Sequence, residues 1–204
     1  MEANPDIILK ILDEDVEFFT DKINPNDVYV EYPLPNGARC FAPAESPRFE
    51  AFLRHRYRQL ADTKLCPPDV FDYSEEREWD ARYDLDKQVA IHRRVAGNLP
   101  GGKIFYFLAD EQWRCVFISD AGWRVVQGTK VKFLRGQFDE AQAEPVSGGD
   151  LLKLLRPFVN MDQDSFILFT AFLVQAFSRS SSHFAAIISS LKGSGKSSVS
   201  YFPQ

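Results

Sequence analysis

Cysteine is scarce in this sequence and carries no pairing pattern. The 204 residues include three cysteines, Cys40, Cys66 and Cys115, and no two of them form a CxxC motif. An odd number of widely spaced cysteines argues against a disulfide framework and against a thiolate metal site. Because cytoplasmic cysteines stay reduced, the sequence favours a cytoplasmic protein.

Long apolar runs and a targeting segment are also missing. Acidic residues appear from Glu2 onward, unlike the basic and then apolar start of a secretory signal. The most apolar stretch, Phe166–Phe177, has twelve residues and is flanked by Asp164 and Arg179. A membrane span needs about 20 apolar residues. This stretch therefore predicts a buried helix, and no membrane is expected among the partners.

Positive charge is in deficit, because 24 Lys and Arg residues oppose 29 Asp and Glu residues and give a formal net charge of −5. This balance argues against nucleic-acid binding over the whole surface. A local basic cluster remains on a predicted helix, where Arg54, Arg56 and Arg58 are candidates for contact with phosphate or with a partner. The alternative, which we favour, is a solvated helix face paired with the acidic segment 72–86.

Hydrophobic residues make up 45% of the chain, enough for a globular core. Asn4 and Ser46 each precede a proline, a common start of a helix. The prolines and the Asn-Gly pair of residues 33–37 predict the turn of a β-hairpin. The predicted elements of this half are a helix continuing to Asp21, strands at 28–32 and 38–42, a helix from Ser46 to Leu60, and a short charged helix at 75–83.

From Gln88 the apolar pattern changes to the period of two that is typical of strands. Short turns separate the segments, which predicts an antiparallel meander. The segments are 89–96, 103–108, 113–118, 122–126 and 130–134. Aromatic residues such as Trp113 and Trp123 predict core packing, which we favour, or a stacking platform for single-stranded nucleic acid.

The sequence thus predicts an α+β fold in three parts. Residues 1–135 form an α+β body with an antiparallel sheet, and residues 136–150 form a linker because they combine Pro145 with Gly148 and Gly149. Residues 151–204 form a helical segment followed by the first strand and loop of an incomplete nucleotide-binding domain.

A phosphate-binding motif lies near the end of the sequence. Gly193 and Gly195 let backbone N–H groups point at phosphate oxygens, Lys196 reaches the outer phosphates, and the hydroxyl of Ser197 is a Mg²⁺ ligand when nucleotide is bound. The apolar run Phe184–Ile188 predicts the strand that leads into such a loop. One position departs from the pattern, because Ser190 stands where the first glycine is expected.

Several further blocks occur in the same order and spacing as in a known class of proteins. Together with the loop, these blocks resemble bacterial and prophage P-loop ATPases of the replication or helicase-like type, in which a body of this kind precedes an ATPase module. The blocks are Phe49–Arg58, His92–Gly97, Trp123–Val126, Val131–Arg135, Leu151–Phe158 and Asp162–Leu168. The resemblance implies a mobile-element protein derived from such an ATPase.

No helix of useful length and no acidic strand follow the loop within this sequence, so we expect a loop that is not functional by itself, and no hydrolysis. The favoured function is binding of a host or phage protein, with nucleic acid as a second partner class. One alternative is a stand-alone phage-encoded inhibitor of a host defence complex, and another is a residual binder or hydrolase of ATP with Mg²⁺. No cofactor is expected under the favoured function, and the oligomeric state is left open.

Overall fold

The computed structural model describes residues 4–63, 72–136 and 139–175, together with Ile187 and Ser189. Contacts divide the chain into two compact units. Unit 1 consists of Met1–Arg94, Phe107–Cys115 and Val125–Gln142, and unit 2 consists of Val95–Tyr106, Val116–Arg124 and Ala143–Gln204. Helices and strands are both present, so the α+β class is confirmed. The predicted domain boundaries stay a prediction.

Unit 1 is built on a four-stranded sheet with the order β3-β2-β1-β4. Its strands are Glu17–Asp21 (β1), Val28–Pro33 (β2), Arg39–Pro43 (β3) and Gln88–Val89 (β4). The β2–β3 pair is the predicted hairpin, with Tyr32 opposite Cys40. Its turn needs a residue with positive φ, and Gly37 supplies one at +80°. β1 pairs antiparallel with β2 and parallel with β4.

Three helices complete unit 1: Pro5–Glu14 (α1), Pro47–Leu60 (α2) and Glu75–Tyr83 (α3). The side chain of Asn4 accepts a hydrogen bond from the backbone N–H of Asp6, and that of Ser46 accepts one from the N–H of Phe49. These caps satisfy free backbone donors at each helix start, so the predicted helix starts are confirmed.

The predicted extension of the first helix to Asp21 is wrong. α1 ends at Glu14, and residues Glu17–Asp21 form β1 instead. The acidic residues at 13–15 oppose the negative end of the helix dipole and disfavour continuation. Pairing with β2 buries Phe18 and Phe19, each 7% exposed, which a surface helix would leave partly in water.

The predicted single strand at 89–96 is also wrong, because the chain forms three short strands there. They are β4, Ile91–His92 (β5) and Val95–Leu99 (β6). β5 pairs in parallel with Lys132–Phe133 (β10), so the last predicted strand of the meander belongs to a separate two-stranded sheet. β4 and β5 pair with distant strands, β1 and β10, whereas β6 pairs with the strand that follows it. The distant pairings that divide this segment leave no local trace in the sequence.

A four-stranded sheet in chain order, β6-β7-β8-β9, as a meander requires, has most of its residues in unit 2. The remaining strands are Lys103–Phe107 (β7), Arg114–Ser119 (β8) and Gly122–Gln127 (β9). β6 and β7 pair antiparallel, with Ala96 opposite Phe105.

The helical part of unit 2 contains Leu151–Leu155 (α4), a 3₁₀ turn at Arg156–Phe158 and Gln163–Gln175 (α5). Its core is a small cluster of buried side chains, Leu155, Val159, Phe166 and Phe169. Residues 139–150 carry no helix or strand, and the linker at 136–150 stays a prediction. None of the helices in the described residues combines the length and the apolar character that a membrane span requires.

Candidate protein-binding surface

The inner side of α3 fixes this short charged helix to unit 1. α3 packs against β1, and its buried residues are Glu78 and Ala81, 8% and 3% exposed. The carboxylate of Glu78 accepts a hydrogen bond of 3.1 Å from the Ser74 hydroxyl and lies 3.6 Å from Nη2 of Arg82. Burial raises the pKa of Glu78 above its usual value, although both contacts oppose this shift. The helix is therefore held in one orientation.

The outer side of α3 presents two aromatic residues to solvent. Trp79 and Tyr83 lie one helical turn apart, on the same face, and are 52% and 80% exposed. The guanidinium carbon of Arg82 lies 5.1 Å from the centre of the Trp79 ring and supports one ring face. Leu85 follows at 77% exposure. Large apolar side chains grouped on one surface in this way are typical of binding sites.

Carboxylates surround this aromatic pair. Asp72, Glu75, Glu76 and Asp80 are all exposed. Within the described residues, Asp80 has a loose ion pair of 3.8 Å with Arg77, and the other three carboxylates have no ion pair. We name the set Asp72, Glu75, Glu76, Trp79, Asp80 and Tyr83 the acidic aromatic face. It joins an apolar centre to a rim of carboxylates, of which Asp80 alone has an ion pair within the described residues.

A cleft of about 670 Å³ opens beside Trp79, where α3 begins. Leu9 of α1 and Tyr73 supply apolar lining, and carboxylates of the acidic aromatic face complete it. Such a cleft suits a lysine or arginine side chain, because these residues bury an apolar stem and keep a charged end near carboxylates. The geometry thus favours a basic partner.

The arginines predicted to contact phosphate are largely committed to other groups. Nε and Nη2 of Arg54 donate to the Glu50 carboxylate at 2.8 and 2.7 Å, and Nε of Arg56 donates to Asp15 at 2.7 Å. Nε of Arg58 donates to the carbonyl oxygen of Arg54 at 3.2 Å. A phosphate would have to compete with two carboxylates here.

These contacts also change the favoured interpretation of the basic helix. The predicted partner was the acidic segment 72–86, but the carboxylates found beside Arg54 and Arg56 are Glu50 on α2 and Asp15 after α1. The segment 72–86 forms its ion pairs within itself and with Asp13 instead, through Arg77 at 2.6 Å. Its other carboxylates remain available to a partner.

The predicted phosphate-binding residues Gly193, Gly195, Lys196 and Ser197 lie outside the described residues, as does Cys66. Their roles toward nucleotide and Mg²⁺ stay predictions. In the described part of the chain, no group of three or more His, Cys, Asp or Glu side chains is arranged to hold a metal ion.

The two described cysteines are unpaired and buried. Burial raises the pKa of the Cys115 thiol to about 12 and raises that of Cys40 as well. A thiol that stays protonated at neutral pH is a poor nucleophile. Both cysteines therefore act as small core residues.

The aromatic residues of the predicted meander serve different purposes. In unit 1, Trp113 is 8% exposed and its ring lies 5.3 Å from that of Phe107, so both belong to the core. In unit 2, the Phe105 and Phe117 rings are 5.0 Å apart, and the Arg124 guanidinium carbon lies 5.0 Å from the centre of the Phe117 ring. Trp123 is 44% exposed. A nucleic-acid platform stays a prediction.

Sequence reasoning missed a nearly buried ion cluster in unit 1. Nζ of Lys132 lies 2.9 Å from Oε1 of Glu31, and Nε of Arg39 donates to the other oxygen of Glu31 at 3.2 Å. The ammonium group also lies 4.3 Å from the centre of the Phe19 ring. Glu31 on β2 and Lys132 on β10 are far apart in sequence, so the alternation of apolar and polar residues in each strand gives no indication of this ion pair.

Comparisons with known proteins add no relative to this picture. No protein-family model matches the sequence, no curated protein matches it, and no solved structure matches the fold. The acidic aromatic face and the motifs of the sequence are therefore the features that indicate function.

Proposed function

We propose that this chain acts by binding a partner protein through the acidic aromatic face, and that the partner presents a basic surface. The observation that carries the proposal is the outward pair Trp79 and Tyr83, which lies beside three exposed carboxylates that have no ion pair within the described residues. Aromatic residues are enriched at the centres of interfaces, and complementary charge speeds association and selects partners.

The resemblance of the sequence to prophage P-loop ATPases extends this proposal. It supports a mobile-element protein that works in the cytoplasm on a host or phage protein. In the cytoplasm, the proteins that present basic surfaces include those that bind nucleic acid. A chain that carries an acidic surface with aromatic anchors would compete with nucleic acid for such a groove. This gives the inhibitor alternative a physical basis, since Glu75 and Glu76 would take the place of phosphates.

Affinity capture with matched variants tests the proposal. Three tagged chains capture proteins in parallel from a bacterial lysate: the wild type, the Trp79→Ala/Tyr83→Ala variant and the Trp123→Ala control. Quantitative mass spectrometry measures how much of each protein is captured. We expect the captured amount of at least one protein to fall by about tenfold or more with the double variant and to stay unchanged with the control. Truncating an aromatic residue at the centre of an interface costs about 2 kcal/mol of binding free energy. Equal capture by all three chains would refute the proposal.

Charge reversal gives a second, independent test on the captured partner. Glu76→Lys should slow association and reduce its dependence on salt, because rim charges act mainly on the association rate. Asp120→Lys makes the same charge change at another exposed site and should have little effect. Association rates at low and high salt, measured by surface plasmon resonance, separate the two outcomes.

The residual ATP-binding alternative needs its own measurement. Calorimetric titration of ATP with Mg²⁺ into the wild-type chain and into Lys196→Ala distinguishes it from protein binding. Heat that is lost in the variant would establish a working phosphate loop. The absence of heat in both chains is the result that our proposal expects.

A further inference from the structure

α5 in unit 2 is apolar on every side, although the described residues cover only one side. Between Phe166 and Val174 its only polar residue is Thr170. Phe166 and Phe169 are buried in the small core of unit 2. Ile167, Leu168 and Val174 are 56%, 71% and 63% exposed. A helix that is hydrophobic all round is normally enclosed by other structure, and among the described residues nothing covers the outer side of this one.

The exposed apolar surface continues onto α4 and encloses a groove. Leu152 is 49% exposed and, together with Ile167, lines a cavity of about 520 Å³. Pro157 and Phe166 supply further apolar lining. Leu168 and Val174 lie outside this lining, so the apolar surface is wider than the groove. A small molecule in the groove would leave that surface in water, whereas a protein segment would cover both.

One cation of the groove is unpaired. The lining contains Lys153 and Arg156, and the Lys153 ammonium lies 3.5 Å from a carboxylate oxygen of Asp150, whereas Arg156 has no ion pair within the described residues. The Arg156 guanidinium carbon lies 4.7 Å from the centre of the Phe166 ring, and its Nη1 is enclosed but has no hydrogen-bond acceptor among the described residues. An enclosed cationic donor without an acceptor is costly, and a carboxylate is the acceptor that suits a guanidinium best.

We propose that this groove, formed by α4, the 3₁₀ turn and α5, docks an acidic amphipathic segment of a partner protein. Apolar side chains of the segment cover Leu152 and Ile167, and a carboxylate accepts from Nη1 of Arg156. This is the arrangement by which amphipathic helices bind apolar grooves. The groove shares no residue with the acidic aromatic face and prefers the opposite charge.

A designed peptide tests this docking site on the full chain. The probe is a fluorescein-labelled amphipathic peptide of about four helical turns, with leucine on one face and glutamate on the other. A second probe carries lysine in place of every glutamate. Fluorescence anisotropy should show binding of the acidic probe that is about tenfold or more tighter than that of the basic probe. Equal affinities, or no binding of the acidic probe, would overturn the proposal.

Variants locate the binding and exclude a general loss of structure. Ile167→Glu should abolish binding, and Ile23→Glu, which makes the same change at a site 81% exposed in unit 1, should not. Arg156→Gln should weaken binding of the acidic probe about tenfold, and Arg156→Lys should retain part of the affinity that Arg156→Gln loses. Thermal melts by circular dichroism check that each variant is folded.

The remaining outcomes separate this proposal from its alternatives. Trp79→Ala/Tyr83→Ala should bind the acidic probe as the wild type does, so the failure of one proposal does not imply failure of the other. Sedimentation equilibrium tests self-association of the chain without peptide. If the chain associates and Ile167→Glu abolishes this, a second copy covers the groove and the proposed partner segment is wrong.

Discussion

Replacing Lys132 by methionine would test whether the ion cluster of unit 1 stabilises the fold. The side chains of Lys132 and Glu31 are 10% and 14% exposed, and their charged atoms are 2.9 Å apart. Methionine keeps most of the apolar stem and removes the charge. Glu31 then loses its nearest cation but retains Arg39, which donates to it at 3.2 Å.

The expected cost follows from these contacts. Removing one partner of a buried ion pair destabilises a protein by about 3–5 kcal/mol, because the other charge is left uncompensated. The remaining contact with Arg39 reduces this cost, whereas the lost contact between Lys132 and the Phe19 ring adds about 1 kcal/mol. We therefore expect a loss of about 2–4 kcal/mol, which for a chain of this length lowers the melting temperature by about 4–16 °C.

The assay is denaturant unfolding followed by circular dichroism and by tryptophan fluorescence. Glu31→Leu and the double variant Glu31→Leu/Lys132→Met complete a double-mutant cycle, which isolates the coupling between the two side chains. Lys153→Met is the matched control, because its ion pair with Asp150 is 3.5 Å long and its side chain is 86% exposed. That control should change stability by less than about 0.5 kcal/mol.

Two results would refute the reasoning. The first is a Lys132→Met variant as stable as the Lys153→Met control. The second is a double variant whose loss equals the sum of the two single losses, since independent sites add and coupled sites do not. A double variant more stable than Lys132→Met alone would support the view that the uncompensated charge, rather than the lost pair, carries the cost.

Two further predictions concern α3 and α2. Burial raises the pKa of Glu78 above its ordinary value of 4.5, so the stability that protonated Glu78 contributes is present below about pH 4.5 and is lost as the pH rises through the raised pKa. Between pH 4 and pH 8 the melting temperature of Glu78→Gln should therefore fall less steeply than that of the wild type. Parallel curves for the two proteins would contradict this prediction. Ser46→Ala should cost about 1 kcal/mol, because the Ser46 hydroxyl accepts a hydrogen bond from the N–H of Phe49 at 3.3 Å. Ser147→Ala, at an exposed site outside any helix or strand, serves as its control in the same unfolding assay.

Local rules predicted the elements whose causes are local. The start of α2 follows from Ser46 and Pro47, and the β2–β3 hairpin follows from the turn at 33–37. α3 begins and ends at the predicted residues, Glu75 and Tyr83. In each case the determining residues lie within a few positions of the element itself.

The candidate site was partly visible in the sequence for the same reason. The spacing of Trp79 and Tyr83 predicts that they share one side of α3, and the acidic character of 72–86 is plain. The sequence alone could not show which side of the helix faces solvent. That is decided by the burial of Glu78, a residue that composition alone would place in water.

The segment that was predicted least well is the one that positions the candidate site. The sequence predicts a helix where β1 forms. β1 lies inside the sheet, between β2 and β4, and α3 packs against it. The parallel pairing of β1 with β4 joins residues 20–21 to 88–89, close to the end of the segment that contains α3. Because α3 takes its orientation from this strand, the outward direction of Trp79 and Tyr83 is a consequence of long-range pairing. Local sequence therefore predicts which residues form the acidic aromatic face, whereas the long-range pairing of the sheet determines that they are exposed.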